Sequence, residues 1–280
     1  MTELLHRIRL ADPTAGLWEA ADFQWWWRTP RPSDHIEQRF WLDADGPVAG
    51  ATLTDWGGSW GLDPIVIPTA RSSFRHHVWG ASLRAVGELP ATSSPVAVET
   101  RVRDGDLEVI GFLTEHGFVA SGADGTAWME ISKRRPRVAP GEGFEIGDRG
   151  AHPLGPHWMT HRSGPSVEAR LRETTLYDPW LDLCVRTPDG EVAGYALFWF
   201  DPVTHVGMLE PMRVEEAWQR RGIARALIAE GVERLAMRGA TRVKVSFESD
   251  AARALYLGAG FELESTSTVY SRMPSVAPQA

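Results

Sequence analysis

Apolar and polar positions alternate most clearly in the second half of the chain. Residues Val243–Phe247 alternate with period two, as a half-buried strand does. Longer apolar runs predict further strands near Leu181–Arg186, Val192–Asp201 and His205–Val214. Upstream, a first strand is expected at Phe144–Gly147, followed by a mixed helical region to about Leu176. The period changes after Val214. Over Arg220–Arg238, the residues Ala226, Leu227, Ala229, Val232, Leu235 and Ala236 fall largely on one side, which predicts an amphipathic helix. A strand, a short helix and a hairpin close the pattern. The first half runs in parallel with this order, from a first element at Leu5–Leu10 to about Ile131.

That parallel rests on particular residues. Asp45–Ala51 echoes Asp189–Tyr195, and both read as a hairpin turn entering a strand. Leu62–Ile67 echoes Leu209–Val214. Gly117 and Phe118 echo Gly260 and Phe261, each pair followed by a polar-alternating tail suited to a closing hairpin. Anchors in the same order at nearly the same offset indicate two copies of one α+β unit. The stretch Ser132–Gly143 is charged and rich in Pro and Gly, as linkers are. The expected division is therefore 1–135, a linker over 136–143, and 144–280.

Composition narrows the function. At 280 residues the chain has room for two domains of ordinary size. A net charge of -8 offers no large basic field for releasing counterions, which argues against nucleic acid as a partner. The single cysteine, Cys184, excludes an intramolecular disulfide and a cysteine zinc site, and no metal is expected. No signal-like apolar run follows Met1, and no stretch reaches bilayer length, so no membrane partner and a cytoplasmic location are expected. Tryptophans concentrate in the first half, Trp25, Trp26 and Trp27 among them, and large residues of this kind most often serve packing.

The segment Glu210–Ile228 carries the chemistry. A strand runs through a short turn straight into a helix, with Gln219, Gly222 and Ala224 in the turn and Arg220, Arg221 and Arg225 around them. Free N–H groups at a helix start, the helix dipole and cationic side chains together make an anion site. The turn lacks the Gly-Lys-Ser/Thr of a P-loop and the three spaced glycines of a dinucleotide fold. It resembles the pyrophosphate loop of GNAT-type N-acetyltransferases, Gln/Arg-x-x-Gly-x-Gly/Ala. Downstream, Ser249–Phe261 is similar to that family's Asn-x-x-Ala-x-x-Leu-Tyr-x-x-x-Gly-Phe motif, with Ser249 in place of Asn. The two motifs span roughly residues 206–262.

The resemblance implies two tandem GNAT-like α+β domains layered α/β/α. Each would be a mixed, mostly antiparallel twisted sheet flanked by helices, as in the mycothiol-synthase type. It also implies acetyl-CoA as co-substrate. Gln219, Arg220, Arg221, Gly222, Ile223, Ala224 and Arg225 would hold the pyrophosphate. Met212, Arg213 and Val214 would offer backbone to the thioester and pantetheine, and Ser249 a hydroxyl to a pantetheine amide. Tyr256 matches the general acid. In the first half the ungapped register places Ser72, Arg75 and His77 at the loop positions and Leu113 opposite Tyr256, so that copy is expected to have lost the cofactor.

For the general base, strict strand alternation would put Glu210 on the same side as Met208, Met212 and Val214, which makes it the leading candidate. His205, Asp201 and Glu248 are weaker candidates, and Glu215 and Glu216 read as solvated or paired with arginine. Cys184 sits in an apolar strand without a basic neighbour and reads as an inert thiol, so transfer should be direct, within a ternary complex. The acceptor is expected to be a small-molecule or peptide amine, and the protein a monomer or homodimer. A non-catalytic acyl-CoA-binding or regulatory protein of the same fold, and an enzyme whose two halves act together, remain open.

Overall fold

The computed structural model describes residues 1–89 and 96–273. In chain order the first half forms α1 (Thr2–Ala11), α2 (Ala20–Trp26), β1 (Arg39–Asp43), β2 (Gly46–Asp55), β3 (Ser59–Val66), α3 (Ser72–Gly87), β4 (Ala97–Arg103), α4 (Leu107–Glu115) and β5 (Val119–Glu130). The second half forms β6 (Glu145–Asp148), α5 (Thr160–Ser163), α6 (Val167–Arg172), β7 (Asp182–Arg186) and β8 (Val192–Asp201). It continues through β9 (Val206–Val214), α7 (Ile223–Arg238), β10 (Arg242–Phe247), α8 (Asp250–Ala259) and β11 (Glu262–Arg272).

These elements gather into two compact units that do not follow the linker. Of the described residues, the first contains 1–18, 30–89, 96–124 and 265–273, and the second contains 19–29 and 125–264. In the first, the strand order is β1-β2-β3-β4-β11. The β1–β2 and β2–β3 pairs are antiparallel, β3–β4 is parallel, and β4–β11 is antiparallel. In the second, the order is β5-β10-β9-β8-β7-β6. There β9–β10 is the parallel pair and the others are antiparallel. Both are mixed, mostly antiparallel sheets with helices against them.

The tails after Phe118 and Phe261 are therefore single long strands, where closing hairpins were expected. Each crosses from one unit into the other. Gly125–Glu130 of β5 pairs with β10, and Ser267–Arg272 of β11 pairs with β4. The helix α2 likewise comes from the first half of the chain and lies in the second unit. The first element also differs. Leu4, Leu5 and Ile8 are buried at helical spacing, so the segment expected to parallel the strand at Phe144 is the helix α1.

The repeat survives in local detail. Asp106 caps α4 by accepting from the Val109 N–H at 3.3 Å, and Ser249 caps α8 by accepting from Ala252 at 3.2 Å. Both helices stop at a left-handed glycine, Gly117 (φ 77°) and Gly260 (φ 107°). The next N–H, on Phe118 or Phe261, then donates to the carbonyl of Leu113 or Tyr256 at 3.0 and 3.1 Å. In the second unit, Leu181, Leu183, Val185, Phe198, Leu209, Leu227 and Leu235 form a core between the sheet and α7. Between β6 and β7 the buried Asp182 organises irregular chain. It accepts from Trp158 Nε1 at 2.9 Å and from the Tyr177 hydroxyl at 2.8 Å, and pairs with His157 at 2.7 Å.

Candidate active site

The site begins where two parallel strands part. β9 and β10 are paired from Val206–Arg242 to Leu209–Val245. Beyond that, β9 stays with β8 while β10 continues against β5. A cavity of about 560 Å³ lies at this end of the unit. Its walls are Met212, Arg213 and Val214 of β9, the turn residues Trp218, Gln219, Arg220 and Gly222, the first turn of α7 (Ile223, Ala224, Arg225), and Ala251, Ala252, Leu255 and Tyr256 of α8.

The turn is shaped for close approach. Arg220 (φ 62°) and Gly222 (φ 82°) both have left-handed backbone, and a Cβ added to Gly222 would meet no atom within 4 Å. No side chain caps α7. The Ala226 N–H bonds the Gly222 carbonyl, leaving the N–H groups of Ile223, Ala224 and Arg225 without an intrahelical acceptor. Arg213, Arg220 and Arg225 add positive charge to the walls. Uncapped amides, dipole and arginines suit a pyrophosphate, while Met212, Val214, Ile223 and Leu255 give an apolar stretch for a linear arm.

Two residues expected here, Arg221 and Ser249, are not among the lining residues. Arg221 places its guanidinium 4.9 Å from the centroid of the Trp218 ring, and Ser249 serves as the α8 cap. Trp218, Ala251, Ala252 and Leu255 line the cavity without having been expected. Ala252 and Leu255 are positions of the α8 motif itself, so that signal was present. Nothing in the sequence marked Trp218.

Tyr256 is buried between Phe247 and Phe261, with ring centroids at 6.2 and 5.9 Å. Burial, reinforced by the nearby Glu210 charge, pushes its phenol well above the usual tyrosine range. The hydroxyl is thus a proton carrier at any physiological pH.

Glu210 lies on the other face of β9. The β8–β9 register shifts between Ala196–Met212 and Phe198–Leu209, so β9 carries an extra residue there, a β-bulge. A Cβ on Gly194, which pairs with Val214, would touch Ile223 of α7, and one on Gly207 would touch Leu235. Leu209, Met212 and Val214 therefore face α7, whereas Met208 and Glu210 face away. The expectation that Glu210 shares a side with Met212 and Val214 is overturned, because the bulge resets the alternation. At the bulge, Trp199 Nε1 donates to the Glu210 carbonyl at 2.7 Å.

The half-buried Glu210 carboxyl is pushed up to about 7, first by desolvation and then by the charge of Asp22; Arg28 acts in the opposite sense. Asp22 comes from α2 and makes an ion pair at 3.0 Å with the buried Lys244 of β10. Glu248, a weaker candidate base, belongs to the same charged surroundings. Asp201 and His205 lie at the far end of β9. Asp201 accepts from Val203 N in the β8–β9 turn, and His205 Nδ1 lies 3.3 Å from the Gly239 carbonyl. Glu215 pairs with Arg162 at 3.1 Å and with Arg213 at 3.6 Å, and Glu216 is exposed. Cys184 is fully buried in β7, and burial pushes its thiol up to about 11.

The corresponding place in the first unit differs. The connection from β3 to α3 is only Ile67–Arg71, against residues 215–222 in the second. α3 consequently starts four residues earlier than the ungapped register assumed. Aligned on the helix starts, Pro68, Arg71 and Ser73 stand where Gln219, Gly222 and Ala224 do, replacing Ser72, Arg75 and His77. Arg71 has ordinary extended backbone, φ -66°. Leu113 matches Tyr256 as expected, down to the bond from the following phenylalanine.

Two α+β units, each a mixed sheet with one parallel pair that opens beside a helix start, define the tandem GNAT fold. Residues 156–261 match the model of the acetyltransferase (GNAT) family, a stretch that lies within the second half of the chain. Over nearly its whole length the chain is similar to a GCN5-related N-acetyltransferase from Sphaerobacter thermophilus, with TM-score 0.63, 18% identity, and coverage of 97% of this chain and 91% of that one. It is also similar to a tandem GNAT protein from the clavulanic acid biosynthesis pathway, with TM-score 0.68, 14% identity and coverage of 99% and 94%. A GCN5-related N-acetyltransferase from Kribbella flavida gives TM-score 0.56 at 15% identity, covering 91% and 94%. At these identities the likeness is one of fold. No curated protein matches the sequence. Among the described residues, no helix is long and apolar enough to cross a membrane, and no three His, Cys, Asp or Glu side chains are grouped to hold a metal ion.

Proposed function

We propose that the protein is an acetyl-CoA-dependent N-acetyltransferase that acetylates a primary amine of a small molecule or peptide in the cytoplasm. The observation that carries this reading is the cavity at the β9–β10 opening, with an uncapped α7 N-terminus at one side and the buried Tyr256 phenol at another. Bound acetyl-CoA would supply an acetyl thioester there. The α7 amides with Arg220 and Arg225 would hold its pyrophosphate. The Met212–Val214 backbone would bind the pantetheine and polarise the thioester carbonyl. Glu210, on the opposite face, would accept the proton of the attacking amine, directly or through water. Tyr256 would give its proton to the departing thiolate.

The inert Cys184 supports direct transfer without an acetyl-enzyme. The test is release of free CoA thiol from acetyl-CoA across amines, peptides and amino sugars, with calorimetry for stoichiometry. One acetyl-CoA per chain, amide formation with at least one amine class, and full activity of Cys184→Ala are expected. Binding without turnover on any acceptor would instead identify an acyl-CoA-binding protein. A competent thioester on Cys184 would overturn the direct mechanism.

A further inference from the structure

The first unit contains a second cavity of about 580 Å³, as large as the one beside Tyr256. It lies where β3 and β4 separate: they pair only over Ser59–Gly61 and Ala97–Glu99. One end is closed to phosphates. Arg75, in the first turn of α3, is ion-paired with Asp106, and Glu108 accepts from Ser72 and lies 3.1 Å from His76. Two carboxylates thus stand over a helix start that, in the second unit, is bare and flanked by arginine.

The remainder is an apolar chamber with a cationic side. Leu5 and Ile8 of α1, Leu17, Ile65, Trp79 and Val109 supply apolar wall. Arg101 and Arg103 of β4 line the same space. Arg101 Nε also reaches Asp124, and Arg103 Nη1 donates to the Thr14 carbonyl at 3.0 Å, so both guanidinium groups are held in place. A guanidinium presents its N–H donors in a fixed fork that matches a carboxylate. The lining carboxylate Asp12 is turned to its own loop, where it accepts from Thr14 N at 2.8 Å and from the Thr14 hydroxyl at 3.1 Å.

We propose that this cavity binds an amphipathic monocarboxylate, its apolar body against Ile8, Ile65 and Trp79 and its head on Arg101 and Arg103. A volume in the range of small-molecule sites, apolar walls and a few convergent donors are what such a ligand requires. The site excludes coenzyme A, because the pyrophosphate position is acidic and the β3–α3 connection is too short to wrap it. It is independent of the acetyl-transfer reading.

Octanoate is the probe, with octanol as its uncharged counterpart, titrated into the full chain by calorimetry. One octanoate per chain is expected, bound at least tenfold more tightly than octanol. Arg103→Met and, separately, Arg101→Met should narrow that preference severalfold. Ala15→Trp, at the rim, should abolish binding of both while leaving circular dichroism and melting close to wild type. Gly222→Glu, which obstructs only the cavity of the second unit, should leave octanoate binding intact. The proposal is overturned if octanoate fails to bind, if octanol binds equally well, or if folded Ala15→Trp binds octanoate as wild type does.

Discussion

At the level of single residues, the two candidate proton carriers differ in how far sequence alone could place them. The position of Tyr256 was legible, because its motif fixes it one turn before a left-handed glycine, and Tyr256 is among the residues that line the cavity. Tyr256→Phe keeps the packing against Phe247 and Phe261 and removes one proton. Turnover on the true acceptor should fall on the order of a hundredfold or more, while acetyl-CoA affinity measured by calorimetry stays unchanged. Normal turnover in this variant would reduce Tyr256 to packing. The side of the strand taken by Glu210 was not legible, since one extra residue in β9 inverts every assignment beyond it. Asp22 and Lys244 were invisible as a pair, being joined only by the fold. The raised Glu210 carboxyl has a double signature. The folded state keeps its proton up to about pH 7, while the unfolded chain releases it near pH 4.3. Stability therefore falls as pH rises between those values and then levels off. Glu210→Gln should be more stable than wild type above pH 7, by on the order of 4 kcal/mol, with no difference below pH 4. In the pH–rate profile the acidic limb near 7 should disappear. Identical pH–stability curves for the two proteins would mean that Glu210 is not perturbed.

At the level of elements, the periodicities located most strands and α7 to within a few residues, because burial on one face leaves a pattern that neighbouring turns punctuate. They failed at α1, where Leu4, Leu5 and Ile8 fit a helix and the expected parallel with Phe144–Gly147 suggested a strand. They failed again at the β3–α3 connection, because nothing in the pattern shows a shortened loop. That connection matters chemically. In the second unit, the left-handed Gly222 lets the chain turn so that the α7 amides face an open cavity. Gly222→Glu would place strained backbone, bulk and a negative charge there together. Acetyl-CoA affinity should fall more than a hundredfold by calorimetry, while melting drops by no more than the backbone strain requires, because no atom lies within 4 Å of the new Cβ. Retained affinity in this variant would move the pyrophosphate elsewhere.

At the level of the whole molecule, sequence and structure divide the chain differently. The repeat places the boundary in 136–143, yet each compact unit includes strand residues from the opposite side of it. A strand's sequence specifies its alternation but not its partner, so β5 and β11 read as local hairpins when they are long-range pairings. The consequence for stability falls on Lys244. Its buried ammonium is paired with Asp22, from a helix more than two hundred positions earlier. An isolated 144–280 fragment would lose that carboxylate and, with it, the β5 residues that cover the edge of β10. Breaking a buried ion pair by removing one partner costs about 3–5 kcal/mol, a large share of the 5–15 kcal/mol that stabilises a typical domain. A protease site inserted at 136–143 tests this. After cleavage the two pieces should co-elute on gel filtration with the secondary structure of the intact chain. Separated in denaturant and diluted alone, the 144–280 piece should show no cooperative melting and no acetyl-CoA binding, and mixing the pieces should restore both. A 144–280 piece that folds and binds acetyl-CoA alone would mean that the exchanged strands and α2 are dispensable, and that the halves fold where the repeat divides them.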